Sequence, residues 1–259
     1  MLPYLHLLYF RFGPIKVYTW GLFVSLGFLI ALAVLIKKYP KDKNVFIDLL
    51  FYILIGSMFG ARLFYVLFYA PDMFGGLKDF FKIWQGGMSS FGGFFGGALV
   101  AYVYARVKKI KFYGLAEKVA FAAPLGLAIA RIGCYLINDH PGVKTSWNFM
   151  AVAYPDGARF DLGLLEFFLC AAIFIYFVLK RPPSSRKAGK GAEKPLYLEN
   201  FLVIYGLGRF LLDFLRVGER ACAGLIPSQY GSIILLAIGL YLIIKNKKYG
   251  ILEQIIFKN

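Results

Sequence analysis

The chain has 259 residues, 59% hydrophobic, 19% aromatic and only 17% charged, yet its net charge is +16. A soluble domain is nearer half apolar with a quarter charged, so this balance argues against an ordinary soluble protein and for a membrane protein with cationic loops. Nucleic acid is the other common partner of a basic chain, but these cations fall between long apolar runs and form no single stripe, so no nucleic-acid partner is expected.

Seven apolar runs reach, or nearly reach, the roughly 20 residues that cross a bilayer. In chain order they cover 17–36, 45–69, 90–106, 114–137, 161–179, 198–215 and 229–244. The expected fold class is all-α: a polytopic membrane protein with about seven transmembrane helices, built as one membrane domain over residues 1–259. The first run is not read as a cleavable signal peptide, because no strongly basic segment precedes it and lysines follow it directly. "KRPPSSRKAGKGAEKP" reads as a polar linker before the sixth run. The cysteines Cys134, Cys170 and Cys222 give no disulfide framework and no CxxC.

Lysines and arginines set the orientation. The loops at 37–44, 106–113 and 180–197 and the tail after 244 hold 18 of them, and the N-terminus with the other loops holds 8. This bias puts the N-terminus outside and the C-terminus in the cytoplasm. Four cations lie inside the runs. Lys118 sits near a cytoplasmic end and is expected to snorkel. Arg62, Arg131 and Arg209 all fall in the outer half, where an arginine costs at least a few kcal/mol unless paired or wet. Glu166 and Asp213 lie at the same depth, and Asp213 is four residues after Arg209, on one helix face. Two acids cannot neutralise three cations, so at least one arginine is expected to face an anionic ligand or a water-filled pocket.

The stretch "GGMSSFGGFFGG" belongs to the same level. Its second half carries Gly92 with Gly96 and Gly93 with Gly97, two small-xxx-small patterns that suit close helix packing. Its first half, Gly86 and Gly87 with Ser89, precedes the helix, where backbone N–H groups can hold an anion. A glycine-rich helix entry level with three arginines points to a phosphate, and the most available phosphate in a membrane is a phospholipid headgroup.

Several motifs together resemble the prolipoprotein diacylglyceryl transferase family. They are "FGPIKVYTWGL", "GARLFYVLFY" with Arg62, "GGMSSFGG", "ARIGCYLINDHPG" with Arg131, "RFDLGLLE" with Glu166, and "YGLGRFLLDFLR" with Tyr205, Arg209, Asp213 and Arg216. They occur in order over nearly the whole length. The resemblance implies a bacterial inner-membrane enzyme. It would move a diacylglyceryl group from phosphatidylglycerol to the lipobox cysteine thiol of a prolipoprotein, forming a thioether and releasing glycerol 1-phosphate. It implies no cofactor and no metal. Arg131 and Arg209 would bind the headgroup and stabilise the leaving phosphate, with Tyr205 as a further catalytic candidate. Arg62, Gly86, Gly87, Ser89, Gly92, Gly93, Asp139, Gly142, Glu166 and Asp213 would line the substrate site, in a lateral cleft open to the outer leaflet.

The sequence departs from the family pattern at four positions. Phe91 stands where a histidine is usual, Cys134 at an asparagine position, Asp139 at a glutamate position and Trp20 at a tyrosine position. Cys134 is read as a small packing residue and Trp20 as an interfacial or packing residue. With Phe91 unable to accept a proton, three routes to the thiolate stay open. His140, nine residues after Arg131, could be the base; Tyr205 could act with help from the arginines; or the cationic site alone could lower the thiol pKa. Two other readings also stay open: a divergent relative using another phospholipid or thiol acceptor, and a non-catalytic phospholipid-binding or anion-transporting protein.

Overall fold

The structure is a computed structural model and describes residues 1–69, 89–147, 149–180, 196–218 and 223–256. Gly86, Gly87, Cys222 and linker residues 181–195 lie outside the described residues.

Helices dominate the fold. Among the described residues they are α1 (Thr19–Lys38), α2 (Lys43–Tyr69), α3 (Ser90–Val107), α4 (Phe112–Ile137), α5 (Leu162–Leu179), α6 (Tyr197–Leu212) and α7 (Pro227–Ile256). These coincide with the seven apolar runs within a few residues, except that α7 continues well past its apolar stretch. Five of them, α1, α2, α4, α5 and α7, are long and apolar enough to cross a membrane. Four glycines and Arg106 dilute α3, and α6 has only 16 residues and carries Glu199 and Arg209. The outward faces are apolar, as a lipid solvent requires: Phe51, Phe59, Phe94, Leu99 and Ile234 are all exposed.

The chain divides into two compact units. Residues 32–116 form the smaller one, in which α2 packs along α3. Lipid gives no hydrophobic drive between helices, so close approach through small residues replaces it. Gly56 and Gly60 of α2 meet Gly92 and Gly96 of α3 backbone to backbone. A Cβ on Gly92 would overlap the carbonyl oxygen of Gly60, and one on Gly96 would overlap that of Gly56. Gly93 has more room, with Ala61 Cβ and Ser57 O both 3.6 Å from a built Cβ. Ser89 caps α3: its hydroxyl accepts from Gly92 N at 3.5 Å, and its own N–H donates to Ala61 O at 2.9 Å. That bond fixes the entry to α3 one residue from Arg62, which is 1% exposed with its guanidinium 5.9 Å from the Tyr65 ring centroid.

Residues 1–31 and 117–259 form the larger unit. Among the described residues it adds five short strands that the hydropathy pattern does not announce. β1 (Tyr9–Phe12) and β2 (Ile15–Tyr18) make a hairpin. Gly13 takes a φ of +58° at the first central position of its turn, where glycine is favoured. β3 (Pro141–Lys144), β4 (Ala151–Tyr154) and β5 (Gly157–Asp161) form an antiparallel sheet in the order β3-β5-β4. Leu2 closes the edge of β4, donating to Ala151 O at 2.7 Å and accepting from Ala153 N at 3.0 Å. The sheet therefore fills the connection from α4 to α5 with satisfied backbone. The remaining helices pack in chain order, α5 on α6 and α6 on α7.

The glycine contacts predict two different responses. Gly92→Leu must separate α2 from α3 and should cost about 2 kcal/mol or more of stability, whereas Gly93→Ala should melt close to wild type. Thermal melts of the detergent-solubilised variants check this, and equal melting temperatures for Gly92→Leu and wild type would contradict the packing.

Candidate functional site

The site grows from the junction of α4 and α5. α4 ends at Ile137, and Asn138 follows in the left-handed region with φ 51°, a conformation asparagine tolerates better than most residues. Its side-chain oxygen accepts from Leu5 N at 3.2 Å and His6 N at 3.0 Å, and its amide donates to Asp161 Oδ2 at 3.4 Å. Asp161 caps α5 by accepting from Leu164 N at 2.9 Å, and it also accepts from the Tyr154 hydroxyl at 2.6 Å. Burial pushes the Asp161 carboxyl above its ordinary range; burial and the bond to Asp161 push the Tyr154 phenol up as well. The end of one helix is thus clamped to the start of the next.

The clamp sets Arg131 of α4 opposite Glu166 of α5. Arg131 Nη2 lies 2.8 Å from Glu166 Oε2. The second oxygen of Glu166 pairs with Arg209 Nη1 from α6. Arg209 Nε is 3.3 Å from Asp213 Oδ2, and Asp213 Oδ1 is 3.4 Å from Arg216 Nε. Cation and anion alternate along Arg131, Glu166, Arg209, Asp213 and Arg216. Arg131 Nη1 also donates to the Cys134 sulfur at 3.6 Å, and the Tyr205 hydroxyl lies near the same guanidinium.

Both acid side chains are fully buried, while those of Arg131, Arg209 and Arg216 keep 20%, 12% and 10% of their surface. The arginines are therefore the members of the row that reach the surface. Planar forks held this way suit an anion with several oxygens, such as a phosphate. Three cations over two anions leave this row of five groups one positive charge in excess.

His140 faces the row. Burial first, then Arg216, Arg131 and Arg209, push its imidazole down to about 3, so it is neutral at neutral pH and keeps a lone pair available. Its Nε2 is 3.6 Å from Asp139 Oδ1, and burial raises the Asp139 carboxyl. Gly142 lies against the turn that carries Arg216: a Cβ there would sit 3.0 Å from Leu215 O and 2.8 Å from Phe160 O. Its backbone bridges to that of Arg216.

The larger unit thus brings together Arg131, Arg209, Tyr205, His140, Asp139, Gly142, Glu166 and Asp213. Arg62, Ser89, Gly92 and Gly93 belong to the smaller unit, where Gly92 is in backbone contact with α2. Depth in the apolar runs signalled Arg131, Arg209, Glu166 and Asp213. Arg216 was counted among the loop cations; its spacing three residues after Asp213 was the signal that could have found it.

Known proteins agree with the motifs. The sequence profile of prolipoprotein diacylglyceryl transferase matches residues 8–245. A phosphatidylglycerol–prolipoprotein diacylglyceryl transferase of Stenotrophomonas maltophilia is 31% identical, covering 93% of this chain and 92% of its own. One of the same name from Bordetella parapertussis is 30% identical over 90% and 92%. Another, from Francisella tularensis subsp. novicida, is 31% identical over 83% and 81%.

The buried imidazole has a consequence for stability. Its folded pKa of about 3 lies below the ordinary 6.5, so between those values the unfolded chain binds a proton that the folded chain does not. Stability must then fall as pH drops through that window. His140→Gln lacks this cost. Its melting temperature should fall less than that of wild type between about pH 7 and pH 4.5; parallel curves would mean that His140 titrates as an ordinary histidine.

Proposed function

Because the chain belongs to the prolipoprotein diacylglyceryl transferase family, we propose that it moves the diacylglyceryl group of phosphatidylglycerol to the lipobox cysteine thiol of a prolipoprotein. The observation that carries this reading is the row of three guanidiniums braced by two buried carboxylates, in a chain that matches the family over residues 8–245.

In the proposed reaction the substrate thiolate attacks the glyceryl carbon. A carbon–sulfur bond forms, the carbon–oxygen bond to phosphate breaks, and its electron pair leaves with glycerol 1-phosphate. Charge grows on that phosphate, and preorganised guanidiniums stabilise growing charge without reorganising. Arg131 and Arg209 are assigned to the phosphate, with Arg216 beside them. Glu166 and Asp213 hold their forks in place. The thiol proton passes to His140, which is neutral beside the arginines, or to Tyr205 on Arg131; otherwise the cationic field acidifies the thiol unaided.

We place the whole chain, 1–259, in one membrane domain of seven spans in a bacterial inner membrane. The N-terminus would lie outside and the C-terminus in the cytoplasm, following the excess of cations on one side. The substitutions Phe91, Cys134, Asp139 and Trp20 favour a second reading, a divergent relative with another phospholipid or thiol acceptor.

Labelled phosphatidylglycerol and a lipobox peptide separate these readings. Thioether product supports the first, and glycerol phosphate release only with another acceptor supports the second. Arg131→Lys and Arg209→Lys keep the charge but lose the fork, so turnover should drop by about tenfold or more in each while the protein still folds. Wild-type turnover in both would remove the bidentate role. The pH–rate profile then identifies the base. A dependent enzyme should be nearly inactive as His140→Gln at neutral pH and recover toward the thiol pKa of about 8.5. If the field alone suffices, His140→Gln and Tyr205→Phe should both follow wild type.

A further inference from the structure

The end of α4 gathers three metal-ligating side chains that the transfer reaction does not need as a group. The Cys134 sulfur, an Asp139 carboxylate oxygen and a His140 ring nitrogen lie within 4.8 Å of one another. We propose that they form a binding site for a thiophilic divalent metal ion of the zinc class.

The backbone makes the cluster. Cys134 sits in the last turn of the helix, and its carbonyl oxygen accepts from Asn138 N at 3.0 Å. The left-handed Asn138 then reverses the chain. Asp139 and His140 are thereby folded back over the turn that carries Cys134. A tetrahedral zinc with bonds of about 2.0–2.3 Å needs ligand atoms about 3.5 Å apart. The 3.6 Å from His140 Nε2 to Asp139 Oδ1 already meets that spacing. The sulfur, 3.6 Å from Arg131 Nη1 and within 4.8 Å of the other two ligand atoms, would complete the set on metal binding.

Charge permits it. Arg131, Arg209 and Arg216 lie near His140 and oppose a bare cation. Metal binding releases the thiol proton, so with Asp139 ionised a divalent ion adds one net charge beside the arginines instead of two, and the ion with its thiolate and carboxylate is neutral as a unit. The carbonyl end of α4 favours a cation as well. The donor set is sulfur, imidazole and one carboxylate, which selects zinc-like ions over magnesium or calcium. Three protein ligands leave a fourth position for water. Cys134 is buried, but Asp139 and His140 keep 43% and 26% of their side-chain surface, which gives an ion a way in. Once ligated, His140 no longer offers its lone pair to a proton.

Cobalt(II) titration of the purified full-length protein in detergent tests the site. Wild type should bind one cobalt with a near-ultraviolet thiolate-to-cobalt band, and zinc should displace it while excess magnesium does not. The band should vanish in Cys134→Ser. Asp139→Asn, which changes a half-exposed side chain and should fold normally, should weaken zinc binding by about tenfold or more, as should His140→Gln. A wild-type protein without the band, a band that persists in Cys134→Ser, displacement by magnesium, or unchanged zinc affinity in Asp139→Asn would overturn the proposal. The readout is binding, so a failure of the transferase reading would leave it untouched.

Discussion

Two carboxylates without contact with water, Glu166 and Asp213, are the constraint around which the larger unit is organised. An ion buried alone costs several kcal/mol even after relaxation. An arginine inside an apolar run carries a similar penalty. Neither side of the pairing is tolerable without the other, so α4, α5 and α6 have to meet where their charges meet. Glu166 serves two helices at once, with one oxygen for Arg131 and the other for Arg209. Removing it would leave two guanidiniums facing each other. Asp213 repeats the device between Arg209 and Arg216. The arrangement also suits the anion site that the proposed reaction requires. The acids lie inward, Arg209 reaches one through Nη1 and the other through Nε, and the arginine side chains keep part of their surface.

Such a row has to be held to within a fraction of an ångström, and the means are local and cheap. Asn138 and Asp161 tie a helix end to a helix start through the bond between their side chains, and each also accepts from backbone N–H groups. Each bond satisfies a donor that would otherwise be stranded. Gly142 lets the first strand of the sheet pass directly against the turn that bears Arg216. The sheet converts the α4–α5 connection from a loose loop into a support for that turn. In the smaller unit the same economy appears as glycine against glycine, where contact between backbones replaces side-chain interlock.

The sequence shows these features unequally. Helices were legible because a lipid-exposed helix must be apolar along its whole length, and seven such runs stand out. Among the described residues five of the helices are long and apolar enough to cross a membrane; α6 is too short at 16 residues, and the glycines that pack α3 against α2 lower its hydropathy. The strands were not legible. Four or five residues such as "PGVK" carry no usable alternation, and their pairing depends on Asp161 and Leu2, far apart in the chain. Arg131, Arg209, Glu166 and Asp213 were visible as charges at one depth. That Glu166 bridges two arginines was not, since depth gives a level in the membrane but no direction around a helix. Arg216 was named in the motif, but it lies just past the apolar run, so depth did not group it with the others. His140 was visible only as a titratable residue near the outer face, and its neighbours required the fold.

His140 links the electrostatics to the chemistry. Burial and the nearby guanidiniums keep the imidazole unprotonated, so it is always in the form that can accept a proton, but it holds one weakly. The same positive field that suppresses it is the field that attracts an anion. When a phosphate sits on the guanidiniums, its charge cancels part of that field, and the pKa of His140 must rise, because an opposite charge nearby favours the protonated form. Anion binding and proton uptake are therefore linked, and by reciprocity protonation of His140 strengthens anion binding. Under the proposed reaction this ordering is useful. The base would gain strength only once the phosphate is seated, and the charge that develops on the leaving phosphate would raise it further as the thiol gives up its proton. A histidine standing apart from the arginines would have a pKa near 6.5 and would be partly protonated before any substrate arrived. Its placement against the cationic row, and not its identity alone, is what would couple proton removal to the presence of the phosphate.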